Sequence, residues 1–543
     1  MSPELERILE SKRAFRKQLA GKPVAEKLRI VEELAERTLA TRKDSSALLP
    51  EEPWRIPETW RWSRMGEVAT IIGGSTPRTD RAEYFCGDVP WITPADLSRY
   101  KEKTISRGAR NITQAGLENS GARLMPAKTI LFSSRAPIGY VAIAANPVAT
   151  NQGFKSFVLR DELQPDFVYY YLQRAKEFAV ALASGTTFLE ISGKNAARLP
   201  IPVPPLPEQR WIVAEIEKQF TRLEAGVAAL RRVQANLKRY RAAVLKAACE
   251  GRLVPTEAQL RRTADNADGT DKKFQKYAVK TPSYETGQEL LVRILTERRQ
   301  NWQGRGQYKE PTAPDTTNLP TPPEGWTWAN VRQLGDVQLG RQRSPKNVSK
   351  NNPTKYIRAA NITERGIDAS DVLEMEFSPA ERERFALRNG DIVLSEASGS
   401  LSQVGKPAIW RDELPLCCFQ NTVLRLRPTV VGAKYVLMVF QHFYANSVFA
   451  KVAGGVGINH LGAEKFSAIS LPLPPLAEQR RIVAEVERRL SVVEELEAVV
   501  STNLQRATRL RQAILQQAFS GKLVTVDCKS DKAKRRNPSV KSA

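Results

Sequence analysis

Two stretches of the chain repeat apolar residues at steps of three and four. In 208–250 these are Ile216, Phe220, Leu223, Val227, Leu230, Val233, Leu237, Tyr240 and Val244. In 478–520 they are Val486, Leu490, Val493, Leu496, Val500, Leu504, Ala507, Leu510 and Ile514. The period predicts one long helix in each stretch, with a coiled-coil seam that is imperfect in its middle. Each follows a proline-rich stop, LPIPVPPLP at 199–207 or LPLPPLA at 471–477, and each is closed by a glycine, Gly251 or Gly521. Proline at the start and glycine just past the end are the expected punctuation of a helix. At 1.5 Å per residue, each helix would be roughly 60 Å long.

Charge suggests how they pair. Glu208, Glu215, Glu217 and Glu224 open the first stretch, and Arg231, Arg232, Lys238, Arg239, Arg241 and Lys246 fill its second half; in the second stretch the acids stop at Glu497, and Arg506, Arg509 and Arg511 follow. Antiparallel pairing sets acidic halves against basic ones. The same order also satisfies each helix's own dipole, so charge alone leaves both readings open.

Outside these helices the pattern changes. Residues 3–41 alternate charge with Leu28, Val31, Leu34 and Leu39, a short amphipathic helical arm. From 53 come short β-branched and aromatic runs broken by Gly, Pro and Asn, which predict strands and loops, with helical texture at 167–183. Residues 255–281 are polar, 287–302 read as a charged helix, and 308–323 are extended and Pro/Thr-rich. Then the domain texture begins again. Trp60-Arg-Trp62 matches Trp326-Thr-Trp328, Met65-Gly66-Glu67-Val68 matches Leu334-Gly335-Asp336-Val337, and 91–97 matches 356–362. Residues 126–132 match 388–394, and Asn151-Gln152 loosely matches Phe419-Gln420. The copies differ most at 73–84 against 339–354. A duplicated domain–helix unit of about 270 residues follows.

The expected fold is therefore α/β (α+β): two mostly-β domains of similar fold separated by two long helices paired as an antiparallel coiled coil, a pseudo-twofold internal repeat. The expected order is an arm (1–52), a first domain (53–206), a long helix (207–254), a linker with a charged helix (255–318), a second domain (319–475), a second long helix (476–524) and a basic tail (525–543).

Composition adds a partner class. Lys and Arg number 83 against 59 acids, a net charge of +24 over 543 residues. Such a chain suits a polyanion, nucleic acid first and an acidic membrane surface second. Five cysteines without C-x-x-C spacing read as reduced cytosolic thiols. No apolar run is long enough to span a bilayer, and the first residues carry no signal-peptide core, so a cytoplasmic protein is expected.

Paired Pro-Pro-Leu-x-Glu-Gln-Arg motifs at 204–210 and 474–480, helix ends of the form Gly-[Arg/Lys]-Leu-Val, the Trp-x-Trp lead-ins and the Gly-Gly-Ser-Thr-Pro loop at 73–77 together resemble the specificity subunit of type I restriction–modification systems (HsdS). The second domain departs from that pattern, with Gly340-Arg-Gln-Arg-Ser-Pro345 in place of the loop. The resemblance implies a non-catalytic reader of double-stranded DNA. Each domain would be a target-recognition domain for one half of a bipartite asymmetric site, and the helices would form the spacer. Two methyltransferase (modification, HsdM) subunits would dock to make an adenine methyltransferase, and restriction (HsdR) subunits would complete a translocating endonuclease.

A search for catalysis finds none of the required patterns. Asn352-Pro353-Thr354 lacks the [DNS]-P-P-[YFW] loop of an adenine methyltransferase, and 399–407 has the wrong spacing and a proline for a P-loop. The two histidines, His442 and His460, read as structural, and Asp96 with Glu102-Lys103 reads as a charged turn. No metal or cofactor is expected. Candidate DNA contacts are Ser75, Thr76 and Arg78 in the first variable loop, and Arg135, Thr187 and Lys194 in or near other loops. In the second domain they are Arg341, Arg343, Lys346, Lys350 and Lys355. Arg and Lys serve both phosphate positioning and guanine readout, and solvated surface charge explains any one of them equally well. On the residues alone, a single-chain restriction or methylation enzyme and a coiled-coil adaptor without DNA remain rival readings.

If the helices set the separation of the readers, one heptad inserted into both at matched points keeps the seam and adds roughly 10 Å. That is about three base pairs, with a turn of roughly 100°. Methylome sequencing should then show a longer spacer between unchanged half-sites, or binding should be lost with the fold intact. Full recognition of the original spacing by the variant would refute the ruler.

Overall fold

Each Trp-x-Trp lead-in begins a short strand that pairs with the proline-rich stop of its own copy. In the computed structural model, Arg61–Arg64 lies antiparallel to Pro200–Val203, and Thr327–Asn330 lies antiparallel to Ser470–Leu473 in the same register. The structure describes residues 52–135, 137–185, 189–265, 285–302, 306–342, 353–455 and 458–523. The expected arm up to residue 51, residues 266–284 and 303–305 of the linker, and the basic tail lie outside them.

The described residues divide into two units, one up to Ala229 together with those from Asn503 onward, the other Leu230–Thr502. In the first, a five-stranded sheet runs in the order Ala69–Gly73, Lys155–Leu159, Ile130–Phe132, Val141–Ala144, Thr104–Ile105. Helix Pro165–Arg174 packs on it, burying Phe167, Val168, Tyr171 and Leu172 in a core that also takes Ile212, Ile216 and Phe220 from one long helix and Ile514, Leu515, Ala518 and Phe519 from the other. In the second unit, Gly335–Leu339, Val423–Pro428, Ile392–Ser395 and Pro407–Ile409 form a four-stranded sheet. Pro353–Ile357 stands between Leu373–Glu376 and Cys418–Phe419 in a second sheet, pairing parallel with the latter.

The long helices are Leu206–Cys249 and Leu476–Phe519, 44 residues each. Both take in the leucine two residues before the Glu-Gln-Arg motif, and in the first helix Pro207 sits inside the first turn, where its missing N–H would have no helical partner anyway. Gly251 and Gly521 close them at φ of +66° and +72°. Arg252 N donates to Ala247 O at 2.8 Å and Lys522 N to Gln517 O at 3.0 Å, which satisfies orphan carbonyls in a left-handed cap.

Within each unit the helices run antiparallel, acids of one against bases of the other. Arg511 pairs with Glu224 at 3.0 Å and stacks on Phe220 in the first unit, and Arg241 reaches Glu494 and Glu497 at 3.5 Å in the second. These exposed pairs select orientation more than they stabilise. The seam is narrower than the spacing predicted. Leu237, Val244, Val486, Leu490, Val493 and Val500 are buried, but Val233, Tyr240, Leu496 and Leu510 are 41 to 51 % exposed. Two helices share only one stripe, so positions that drift off it along a straight helix stay wet.

The lead-in tryptophans join these parts. Trp60 Nε1 donates to Glu208 Oε2 at 2.6 Å and Trp326 Nε1 to Glu478 Oε1 at 2.9 Å, at the first turn of each helix. The following glutamines, Gln209 and Gln479, each donate to a carbonyl of the proline stop and accept a backbone N–H from the domain. At the far end of each helix, a Cβ on Gly521 would lie 2.2 Å from Pro57, and one on Gly251 would lie 2.6 Å from Pro323. The two joints are not covered alike. Helix Glu257–Asp265 covers Glu478, whose second oxygen accepts from Glu257 N at 3.1 Å, and burial pushes that carboxyl up to about 7.

Gly521→Ala should therefore lower the unfolding midpoint of the first unit, costing about 1–3 kcal/mol from a strained φ and a steric contact. Gly226→Ala, in open space on the same unit, should gain about 0.5–1 kcal/mol of helix propensity. Calorimetry on the full chain compares them.

Candidate nucleic-acid interface

Four loops meet in each domain, and backbone hydrogen bonds hold them together. In the first, Ser75 N donates to Thr150 O at 2.9 Å, Ser134 N to Gly153 O at 2.7 Å and Ile191 N to Ser134 O at 3.0 Å. In the second, Arg341 N donates to Phe419 O at 3.0 Å, Glu396 N to Thr422 O at 2.8 Å and Leu461 N to Glu396 O at 2.9 Å. Ser133 and Ser395 brace the base of the same loop, accepting from Tyr140 N at 2.8 Å and Lys406 N at 2.9 Å. The last loop is pinched by paired bonds between Ser184 and Glu190 in one domain and between Gly454 and His460 in the other.

Close approach explains one shared residue. A Cβ on Gly74 would lie 2.0 Å from Asn151 O, and one on Gly340 would lie 2.2 Å from Gln420 O. Glycine is required in both loops, although the surrounding sequences, Gly-Gly-Ser-Thr-Pro and Leu-Gly-Arg-Gln-Arg, look unrelated. The contact also corrects the alignment. Asn151 corresponds to Gln420, not Phe419, because the backbone register follows the glycine contact rather than the side-chain chemistry.

The side chains on this common frame differ. In the first domain, Thr76 bonds Gln152, and Glu190 lies 3.4 Å from both Arg135 and Lys155. In the second domain, the position of Ser134 holds Glu396, 5 % exposed, which accepts from His460 Nδ1 at 3.0 Å and Gly462 N at 3.3 Å. The first cluster thus presents two cations around one carboxylate, and the second a carboxylate with an imidazole.

Of the expected contacts, Ser75, Thr76 and Arg135 come together. Arg78 shares the loop of Ser75 but pairs with Asp80 at 2.8 Å. Lys194 is exposed on the short helix Gly193–Ala197, just past the fourth loop, and Lys355 is exposed on strand Pro353–Ile357. Arg341 occupies the place of Ser75, yet its guanidinium turns inward, with Nε donating to Glu381 at 2.7 Å, Nη1 to Glu376 O, and its plane over Phe377. Thr187, Arg343, Lys346 and Lys350 lie outside the described residues. Sequence reasoning passed over Lys155, Glu190, Glu396 and the role of His460. Lys155 lies three residues past Asn151-Gln152, a usable signal, whereas only the fold brings Glu190 to it. Asp96 is a loop brace, accepting from Thr93 and from Ala109 N. Among the described residues no group of three or more His, Cys, Asp or Glu could hold a metal, and no helix is long and apolar enough to cross a membrane.

Known proteins place this frame. The family model described as "Type I restriction modification DNA specificity domain" matches residues 57–229 and 323–497, more than half of the chain. The MjaIX type I restriction enzyme specificity subunit of Methanocaldococcus jannaschii is 40 % identical over 168 residues, which cover 31 % of this chain and 39 % of that protein. The EcoKI specificity subunit of Escherichia coli K12 is 22 % identical over 482 residues, 86 % of this chain and 90 % of that one. A solved chain from a study of assembly and conformational transition of the type I R-M system shares the fold, with a TM-score of 0.56 and 19 % identity over 87 % of this chain and all of that chain.

Arg341→Ala should destabilise the second unit by about 1–3 kcal/mol, since it takes one donor from a half-buried carboxylate, which keeps Ser378 N, and one from the Glu376 carbonyl. Arg135→Ala removes a longer, more exposed pair and should stay within about 0.5 kcal/mol. Urea unfolding of the two variants makes the comparison.

Proposed function

The chain belongs to the type I restriction–modification DNA specificity family, as a specificity subunit, and we propose that its two domains each read one half of a bipartite, asymmetric DNA site. The observation that carries this reading is the shared four-loop frame with exchanged chemistry. At the fourth loop one domain sets Glu190 against Arg135 and Lys155, and the other sets His460, in the place of Glu190, against Glu396, in the place of Ser134. Guanidinium and ammonium groups donate to phosphates and to the acceptors of guanine, whereas a carboxylate accepts from the amino group of cytosine. Two readers built alike but differently furnished suit two different half-sites.

On this reading the subunit performs no chemistry itself. It positions two methyltransferase subunits for adenine methylation and restriction subunits for cleavage, in the cytoplasm, and the paired helices act as the spacer. The net charge of +24 supports extensive phosphate contact.

Replacing 53–206 with the corresponding domain of a relative, in a strain carrying the modification subunits, tests the reading. Methylome sequencing should report one changed half-site and the other retained. A change in both halves, or in neither, would remove the basis for two independent readers.

A further inference from the structure

The two copies of the lead-in joint are covered unequally. In the second unit, helix Gly287–Gln300 lies on strand Thr327–Asn330, the turn Val331–Leu334 and strand Ser470–Leu473, burying Leu290, Leu291 and Ile294. It starts with a reciprocal cap between Thr286 and Glu289, and Gly287 N donates to Gly325 O at 2.7 Å. The seat admits only glycine, since a Cβ on residue 287 would lie 2.2 Å from Leu473 O and 3.1 Å from Thr327 N. Under this cover Asn330 and Gln333 are 5 % and 3 % exposed.

The first unit has the same seat without a described cover. Arg61 pairs with Val203 as Thr327 pairs with Leu473, so Thr59 and Val203 stand where Gly325 and Leu473 do. There they help line an open hollow of about 450 Å³. The strand register sets Met65–Val68 against Val331–Leu334, not against the Leu334–Val337 of the sequence match, because the two lead-in strands pair identically with their proline stops. Gly66 and Glu67, the counterparts of Arg332 and Gln333, are exposed.

The chain carries a segment of matching spacing. Trp62 Nε1 donates to Trp54 O and Trp328 Nε1 to Pro320 O, so the register holds eight residues upstream of each tryptophan. Continued without a gap, it sets Gly21 against Gly287, and Val24, Ala25 and Leu28 against Leu290, Leu291 and Ile294. Lys22, Lys27 and Arg29 accompany them, and Glu58, Glu67 and Glu162 lie on the face, Glu162 paired with Arg61 and Glu67 bonded to Ser63. We propose that residues 21–34 dock as a helix on this face of the first unit, with Gly21 in the glycine seat between Thr59 and Val203. The N-terminal arm is then the counterpart of the helix in the linker, and it completes the mount of the first domain as that helix completes the second.

Hydrogen exchange and cross-linking on the full chain test the docking. Removing residues 1–34 should speed exchange at Arg61–Arg64 and Met65–Val68 by about tenfold or more, as local opening becomes easier. The amides of Thr327–Leu334 should be unchanged, which also shows that the shortened chain folds. A photo-reactive side chain in place of Glu67 should cross-link to peptides within 21–34, and Gly21→Val or Leu28→Asp should abolish the adduct. Unchanged exchange at 61–68, or an adduct to another segment that survives both substitutions, would overturn the proposal.

Discussion

One hydrogen bond organises each half of the protein, the indole N–H of a lead-in tryptophan donated to the glutamate at the first turn of a long helix. Trp60 and Glu208 make it in one unit, Trp326 and Glu478 in the other. The bond fixes where the domain's first strand meets the proline stop, and so fixes the exit of the helix. The glutamine that follows binds the stop's carbonyls, and the proline three residues before the tryptophan receives the far end of the other helix. Domain, near helix and far helix thus converge within a few residues, which explains why these residues agree between copies while the loops do not.

The joints are alike in geometry and unlike in setting. Glu478 is buried beneath helix Glu257–Asp265, with Arg481 paired to Glu257 beside it, and burial holds its carboxyl near 7. An acid whose folded pKa is raised contributes stability that is complete at low pH and fades as the pH climbs through about 7. The second joint is therefore tighter in mildly acidic solution and carries a buried charge above neutrality. Its Trp326 and Glu257 donors limit the cost of that charge.

Much of this architecture was legible from the chain. The three-and-four spacing from Ile216 to Val244 announces a helix, Gly251 ends it, and the segregation of Glu224 from Arg241 hints at antiparallel pairing, all local or periodic signals. The candidate interface was less legible, since it depends on contacts across the fold. Glu190 reaches Arg135 and Lys155 only because a strand edge carries it there. Arg341 reads as a DNA contact in a basic loop, yet it faces Glu381 and Phe377 because the neighbouring sheet brings them under it. Periodicity also overstated the seam, counting Leu496 and Leu510 as interior, because spacing reports a face without saying how much of it a single partner helix covers.

The equal length of the two helices restricts how such a chain can change over generations. Each is anchored at its start by one joint and at its end by the other, with a glycine seated on a proline that leaves no slack. A deletion in one helix alone would pull a terminal glycine off its proline or a glutamate off its tryptophan. Length variation is therefore heritable only in matched pairs. Whole domains can be exchanged between lineages at the tryptophan and the proline stop without disturbing either helix. Such a lineage changes by domain replacement, while the length of the paired helices moves in rare, coordinated steps.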